Sequence, residues 1–314
     1  MQDLTEYLML PELKSVPHPF PYQGSKRKLA NAIIPLIPQG TPTIYEPFCG
    51  SAAISIAAKH TKRADHAVIG DINRPLIELW KAILHNPRQL TDSYQEMWYA
   101  QQDDPKAYFN KVRDDFNREQ RPDQLLYLLN RIVKGAVRYS RDGKFNQSAD
   151  NRRLGAKPKV VMDRIYDVRQ TIGEDTETIA GDYENIVANA SPEDIIYMDP
   201  PYQGTSNNSD HRYVASLQRD NFEQALKRMN DKGLRFIVSY DVIDANESYG
   251  KALDDSLGLT HLHLIAGKST QATFLGKDKL TVESLYLSPA LTSKLGGASN
   301  IPRLLNGSDD ALFD

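Results

Sequence analysis

The stretch at 194–202 constrains the fold more than any other part of the sequence, because it joins a short apolar run to a rigid polar tip. The run at 195–198, Ile-Ile-Tyr-Met, has the length and composition of a buried strand, and it stops at Asp199. Pro200 and Pro201 lack the backbone N–H that would extend a ladder, and each restricts the preceding residue to extended geometry. The sequence therefore predicts a strand that delivers a fixed carboxylate to the edge of a sheet.

The chemistry of this tip suits an amino group. Asp199 and the neighbouring carbonyls are hydrogen-bond acceptors, whereas an amine supplies N–H donors. Tyr202 adds an aromatic face beside them. A strand that merely ends at a turn is the simpler alternative, but it requires neither the acid nor the aromatic. We interpret Asp199, Pro200, Pro201 and Tyr202 as the candidate catalytic group.

An earlier segment is typical of a nucleotide-binding strand, turn and helix. A strand at 43–46 leads to a tight turn at Gly50 and a helix of small residues, and the next strand ends at Asp71, 21 positions after Gly50. A glycine turn permits close approach of a ligand, and an acid at the following strand tip binds ribose hydroxyls. The turn has one glycine where dinucleotide sites have three, which favours an adenosine ligand without a diphosphate over NAD.

Two further motifs add ligand-binding groups. Gly24 lets the chain turn into a helix that Ser25 can cap, where free N–H groups and Lys26 can face an anionic group. Another strand ends at Asp182 and Tyr183, an acid that can accept an adenine amino group beside a ring that can stack on the base.

The charge of the chain is unevenly distributed. The net charge is only −3, yet segment 131–160 holds nine Lys or Arg and two Asp. A local basic patch favours a polyanion partner, with a solvated loop as the alternative. Asp142-Gly143 predicts a hairpin that exposes arginine and asparagine, which read base edges, beside lysines, which hold phosphates. The predicted DNA-binding residues are Lys134, Arg138, Arg141, Lys144, Asn146, Arg152, Arg153 and Lys157.

The remaining composition excludes several classes of protein. A single cysteine, Cys49, rules out an internal disulfide and a cysteine-based zinc site, and the seven histidines form no His-Glu-x-x-His pair, so we expect no catalytic metal. No apolar run is long enough for a membrane span, and the first ten residues do not resemble a secretion signal. We therefore expect a cytoplasmic protein without a membrane partner.

Helical periodicity between the strand-rich halves indicates an inserted, mainly helical domain, with helices expected at 105–118 and 122–138. The predicted organisation is an N-terminal extension at 1–19, a main domain at 20–74 and 159–290, the insert at 75–158, and a flexible tail at 291–314.

In their order along the chain, these motifs resemble those of Dam-type, alpha-class adenine-specific DNA methyltransferases. The motifs that carry the resemblance are Tyr22-Gln23-Gly24-Ser25-Lys26, Glu46-Pro47-Phe48-Cys49-Gly50, Gly181-Asp182-Tyr183 and Asp199-Pro200-Pro201-Tyr202. The insert is also similar, at 113–117, 128–131 and 144–146, so that the resemblance covers about residues 20–290. It implies an α/β fold, a Rossmann-like S-adenosylmethionine-dependent methyltransferase sheet in which the insert is the target-recognition domain.

The resemblance also implies a reaction. S-adenosylmethionine would donate a methyl group to the exocyclic 6-amino group of an adenine flipped out of double-stranded DNA. Arg138 falls at the position of a base-reading arginine, and the family allows a cognate restriction or defence partner in a prokaryotic or phage setting. The implied cofactor-binding residues are Tyr22, Gly24 and Lys26 near the methionine end, Glu46, Pro47, Phe48 and Gly50 under the cofactor, Asp71 and Ile72 at the ribose, and Asp182 and Tyr183 at the adenine.

Three alternatives remain at this point. An RNA base methyltransferase shares the Asp-Pro-Pro-Tyr tetrapeptide, and a catalytically silent DNA-binding relative would share the basic insert. A nicotinamide dehydrogenase accounts for the first strand, turn and helix alone.

Overall fold

The computed structural model describes residues 4–5, 7–140, 142–201, 218–244, 247–249, 252–268 and 280–307. Within these ranges the centre of the molecule is a mixed sheet of nine strands, two of which are short edge additions. Its strands are β1 (Leu4–Thr5), β2 (Thr41–Glu46), β3 (Ala64–Asp71), β4 (Glu177–Ala180), β5 (Ile195–Met198), β6 (Arg235–Asp244), β7 (Glu247–Tyr249), β8 (Thr260–Lys268) and β9 (Leu280–Leu287).

The strand order places a ligand-binding crevice at one edge of the sheet. The order is β1-β8-β9-β6-β5-β2-β3-β4, with β7 paired to β6. Strands β4, β3, β2, β5 and β6 run parallel, while β9 lies antiparallel between β6 and β8. From β2 the chain continues outward to β3 and β4 on one side, and β5 and β6 lie on the other. Ligands bind at the carboxyl ends of strands beside such a reversal of strand order.

Helices cover both faces of this sheet, as the predicted α/β fold requires. They are α1 (Ala30–Ile33), α2 (Ala53–His60), α3 (Arg74–His85), α4 (Pro87–Ala100), α5 (Pro105–Glu119), α6 (Pro122–Arg131), α7 (Pro158–Ile172), α8 (Tyr183–Ile186), α9 (Arg219–Asp231), α10 (Pro289–Lys294) and α11 (Ile301–Asn306). In β5, Ile195 and Tyr197 belong to the core under α2 and α7, whereas Ile196 and Met198 belong to the core under α8 and α9. This alternation buries both faces, which is why the run at 195–198 is continuously apolar.

The insert packs on the sheet without a break in the hydrophobic core. Trp80 of α3 and Tyr127 of α6 are fully buried in the same cluster as Ile44 of β2. The predicted boundaries of the insert therefore do not coincide with a gap in packing, and the division into domains remains a prediction.

The helix expected at 122–138 is shorter than predicted, because α6 ends at Arg131. Ile132 is extended and forms an antiparallel bridge with Ala149, and Lys134 follows at a φ of 55° within a short turn. Gly135 has a φ of +63°, and a Cβ there would lie 2.4 Å from the carbonyl oxygen of Pro21. Close packing of this turn against the N-terminal segment thus ends the helix, a contact that helical periodicity does not reveal.

Both terminal segments pack against the rest of the chain. β1 pairs in parallel with β8, so the N-terminal extension adds an edge strand. The flexible tail predicted for 291–314 is wrong as far as residue 307, because Ile301 and Leu305 of α11 are buried and Leu8 donates a backbone hydrogen bond to Leu305. Residues 308–314 lie outside the described ranges.

The described helices include none with the length and apolar character needed to cross a bilayer.

Candidate active site

One pocket at the carboxyl ends of the parallel strands brings together the predicted cofactor-binding residues. It lies where β2, β3, β4 and β5 end, and Asp199 and Pro201 also line it. Pro200 is buried beside them, and Tyr202 lies outside the described residues. The predicted residues that line the pocket are Tyr22, Gly24, Lys26, Glu46, Pro47, Phe48, Gly50, Asp71, Ile72, Asp182 and Tyr183. The structure therefore assembles this set, while the role of each residue remains a prediction.

The turn after β2 has the close approach that its glycine predicts. Gly50 has a φ of +48°, and a Cβ there would lie 2.9 Å from the ring of Tyr22. The indole N–H of buried Trp80 donates to the carbonyl of Gly50 at 3.0 Å and so anchors the turn to the hydrophobic core. The sequence does not reveal this contact, although a buried indole usually requires such an acceptor.

Ala52 lies in the left-handed region, with φ 50° and ψ 41°, at the start of α2. A glycine adopts this conformation without the clash of a Cβ, whereas an alanine incurs it. The single-glycine turn therefore contains a strained residue next to the pocket.

Asp71 fixes the pocket floor through its own carboxylate. Its two oxygens accept the backbone N–H groups of Asn73 at 2.9 Å and Gly50 at 3.3 Å. Burial raises the pKa of Asp71 to about 6, and these hydrogen bonds oppose the rise. Each oxygen retains a lone pair for a ligand hydroxyl.

Glu46, the last residue of β2, is the most deeply buried acid of the site, with 4% of its surface exposed. One carboxylate oxygen accepts both the backbone N–H of Ser55 at 2.8 Å and its hydroxyl at 2.6 Å. Burial nevertheless raises the pKa of Glu46 to about 7, and the nearby charge of Asp199 raises it further. The carboxyl is thus held in place and ionises near neutral pH.

Asp199 belongs to an ion-pair network that the sequence did not predict. The Lys26 ammonium lies 3.2 Å from a carboxylate oxygen of Asp199 and 3.4 Å from one of Glu283, which is part of β9. Lys26 is buried, and the side chains of Asp199 and Glu283 are 19% and 17% exposed. Glu283 was missed because it sits in an apolar strand pattern. The acid within an otherwise apolar strand could have indicated a buried ion pair, since buried charges require partners.

Aromatic rings form the other side of the pocket. The rings of Phe48 and Tyr183 stack with centroids 5.3 Å apart, and Tyr183 packs edge-on against Phe222. Ile72 is 46% exposed in the same pocket, although it is a large apolar side chain. Asp182 is exposed and accepts the N–H of Glu184 at 2.9 Å, which leaves its other oxygen for a ligand.

The basic segment forms the predicted hairpin near one side of the pocket. Tyr139 bridges to Phe145 in antiparallel fashion, and the N–H of Asn146 donates to the Arg138 carbonyl at 2.8 Å. Arg141 lies outside the described residues. The other predicted DNA-binding side chains are exposed, namely Lys134, Arg138, Lys144, Asn146, Arg152, Arg153 and Lys157.

Arg131 does not belong to this exposed surface, although it counts toward the basic segment. It is 2% exposed and donates to the backbone carbonyls of Asp150, Arg153 and Pro105. It therefore holds the loop after the hairpin in place and does not face a partner.

The fold and pocket together define an α/β methyltransferase-type enzyme, and comparison with known proteins is more specific. A family model of D12 class N6 adenine-specific DNA methyltransferases matches residues 22–270, and the chain belongs to that family. The family predicted from the motifs is thereby confirmed, and the match favours a DNA adenine methyltransferase over an RNA methyltransferase or a dehydrogenase.

The individual relatives that match this chain share about a quarter of its residues over the aligned region. The chain is 25% identical over 233 residues to the Type II methyltransferase M1.LlaDCHI of Lactococcus lactis subsp. cremoris, covering 69% of this chain and 78% of that one. It is 25% identical over 277 residues to the Retron Ec67 DNA adenine methylase of Escherichia coli, covering 86% and 90%. The DNA adenine methylase of Escherichia coli K12 is 23% identical over 185 residues, covering 58% and 63%.

Proposed function

We propose that this chain transfers a methyl group from S-adenosylmethionine to the 6-amino group of an adenine flipped out of double-stranded DNA, with Asp199 orienting the amine. The observation that carries the proposal is the position of Asp199, immediately after β5, at the edge of a pocket that also holds Glu46 and Asp71. A rigid acceptor thus adjoins a pocket suited to a nucleoside-bearing cation.

The charges of the pocket fit this cofactor. Among the described residues that line it are the acids Glu46, Asp71, Asp182 and Asp199, and the cation Lys26. S-adenosylmethionine carries a sulfonium and an ammonium group, so an acidic pocket is complementary to it. When bound, it supplies a methyl group attached to positively charged sulfur.

We assign the residues that line the pocket to different parts of the cofactor. We assign its adenine to the apolar surfaces of Phe48, Tyr183 and Ile72, with Asp182 accepting the amino group and Asp71 the ribose hydroxyls. Tyr22, Gly24 and Lys26 then lie toward the methionine end, and Glu46, Pro47 and Gly50 support the middle.

Asp199 would act by orientation and electrostatics. The lone pair of an adenine amine is delocalised into the ring, so the amine is a weak nucleophile until it is held pyramidal. Asp199 and the Pro200 carbonyl would accept hydrogen bonds from its two N–H groups, and the nitrogen would release one proton after it has gained the methyl group. Pro201 would keep the tip rigid, and Tyr202 would stack on the flipped base. Lys26 holds the Asp199 carboxylate in place through the 3.2 Å ion pair.

The insert supplies the surface for the DNA. We assign the duplex to the exposed basic side chains between Lys134 and Lys157, with Arg138 at a base edge and the lysines at phosphates. Removing the target base from the stack costs a few kcal/mol, which these contacts would offset. We place the reaction in the cytoplasm of a prokaryotic or phage-infected cell. The relative named as a Type II methyltransferase motivates a search for a cognate restriction or defence partner.

The test is transfer of tritiated methyl groups to duplex DNA and to RNA by the wild-type chain and by Asp199→Ala. We expect transfer to duplex DNA alone, and its loss in the variant at unchanged cofactor affinity measured by calorimetry. Asp231→Ala, which removes an exposed acid at the end of α9, is the matched control and should remain active. Full activity of Asp199→Ala, or labelling of RNA in place of DNA, would overturn the proposal.

A further inference from the structure

The hairpin and the pocket share one short segment of chain, residues 137–139. Val137 and Tyr139 line the pocket, whereas Arg138 between them is exposed. Successive side chains of extended backbone point to opposite sides, and Tyr139 is in a β-bridge with Phe145. The same three residues therefore face the proposed cofactor on one side and the proposed DNA surface on the other.

A chain of hydrogen bonds joins this segment to the acid at the pocket floor. Asp71 accepts the backbone N–H of Asn73 at 2.9 Å, and the side-chain amide of Asn73 lies 3.1 Å and 3.3 Å from the hydroxyl of Tyr139. Asn73 and Tyr139 are each 8% exposed. Burial raises the pKa of Tyr139 to about 12, so the hydroxyl keeps its proton at neutral pH.

The opposite side of the hairpin is held independently of the pocket. The N–H of Phe145 donates to the side chain of Asn117 at 2.7 Å, and the amide of Asn117 donates back to the Phe145 carbonyl at 3.1 Å. The ring of Phe145 packs edge-on against Tyr139 and Phe116. Beside this fixed strand, the hydroxyl of Tyr139 connects the hairpin to the pocket through its hydrogen bonds with Asn73.

We propose that Tyr139 is a positioning residue that couples occupation of the cofactor pocket to base recognition by Arg138. A ligand on Asp71 orders the Asn73 turn, the Asn73 amide orders the Tyr139 hydroxyl, and Arg138 is thereby set for the major groove. The inference rests on the proposed function, because it requires that the pocket binds the cofactor and the hairpin binds DNA. Coupling is reciprocal, so cognate DNA must tighten cofactor binding by the same factor.

The test measures binding of two fluorescent, unmethylated duplexes, each with and without S-adenosylhomocysteine. The cognate duplex contains the sequence that the chain methylates, and the other contains the same bases in shuffled order. In the wild-type chain we expect S-adenosylhomocysteine to raise the preference for the cognate duplex about tenfold, within the usual range of such couplings. In Tyr139→Phe, which keeps the ring packing, the increase should fall below threefold while S-adenosylhomocysteine affinity and melting temperature change little.

Two further variants separate coupling from a general loss of packing. Tyr127→Phe is the matched control, because its buried hydroxyl bonds to Gln101 in the insert at 2.9 Å and lies outside the pocket lining. Asn73→Ala should remove the same coupling as Tyr139→Phe, and the double variant should lose no more than either alone.

The outcomes distinguish this inference from the proposed function. If the wild-type chain binds neither S-adenosylhomocysteine nor duplex DNA, both fail together. If it binds both and Tyr139→Phe retains the full preference, or Tyr127→Phe loses as much of it, the coupling role of Tyr139 is wrong and the proposed function stands.

Discussion

Replacing Glu46 by Gln tests whether burial in the pocket makes ionisation of the Glu46 carboxyl unfavourable. Glutamine has nearly the same shape, and its carbonyl can accept the two hydrogen bonds from Ser55 at 2.8 Å and 2.6 Å. The substitution therefore removes the ionisation of the buried group while retaining most of its packing.

The magnitude follows from the pKa of Glu46, about 7 in the fold against an ordinary 4.5. That difference corresponds to about 3 kcal/mol in favour of the protonated form. Below pH 4.5 the carboxyl is protonated in both states and its full contribution to stability is present. Between pH 4.5 and 7 the unfolded chain has released this proton while the folded chain still holds it, so the free energy of unfolding falls across this window. About 2 kcal/mol of this loss should occur between pH 5.5 and 8.

The assay is urea unfolding of the cofactor-free wild type and Glu46→Gln across this pH range. The stability of Glu46→Gln relative to wild type should increase by about 2 kcal/mol from pH 5.5 to 8. Glu193→Gln makes the same chemical change at an exposed acid and should follow the wild type. Parallel curves for wild type and Glu46→Gln would refute the raised pKa of Glu46.

Three further substitutions test other parts of the site. Glu283→Gln should lower the single-turnover rate of methyl transfer about tenfold at unchanged cofactor affinity, because Lys26 then loses one carboxylate partner, pairs more strongly with Asp199 and weakens its acceptor strength; an unchanged rate contradicts this role. Ala52→Gly should change the free energy of unfolding by less than about 1 kcal/mol, because relief of the left-handed strain offsets the lost buried methyl, whereas Ala57→Gly within α2 should cost about 2 kcal/mol; equal losses in urea unfolding would be inconsistent with strain at Ala52. Arg138→Ala should relax selectivity at one base position in a competition assay, whereas Lys157→Ala should weaken all duplexes alike; identical effects of the two on every duplex would contradict the separate roles.

The strand tips of the site were predictable because each is encoded locally. Glu46, Asp71, Asp182 and Asp199 all terminate or directly follow short strand patterns, and parallel strands bring their carboxyl ends to one edge. The glycine turn was predictable for the same reason, since Gly50 marks a conformation that a side chain disfavours.

The features that the sequence did not reveal depend on contacts between distant residues. Glu283 reaches Lys26 only because β9 inserts beside β6, and Trp80 reaches Gly50 only through the packing of α3. Arg131 resembles a surface cation by composition, yet the loop at 150–153 folds over it. Ser25 was expected to cap a helix, but its hydroxyl accepts instead from Ser51, 26 residues later. Local patterns carry no information about such partners.

The most direct test of the account is the identity of the product. Unmethylated duplex DNA is incubated with the purified chain and deuterated-methyl S-adenosylmethionine, digested to nucleosides and analysed by mass spectrometry. We expect deuterated N6-methyl-2′-deoxyadenosine, which depends on Asp199 and has no counterpart in a digest of RNA treated in the same way. Methylcytosine as the labelled product, or N6-methyladenine formed equally by Asp199→Ala, would contradict this expectation.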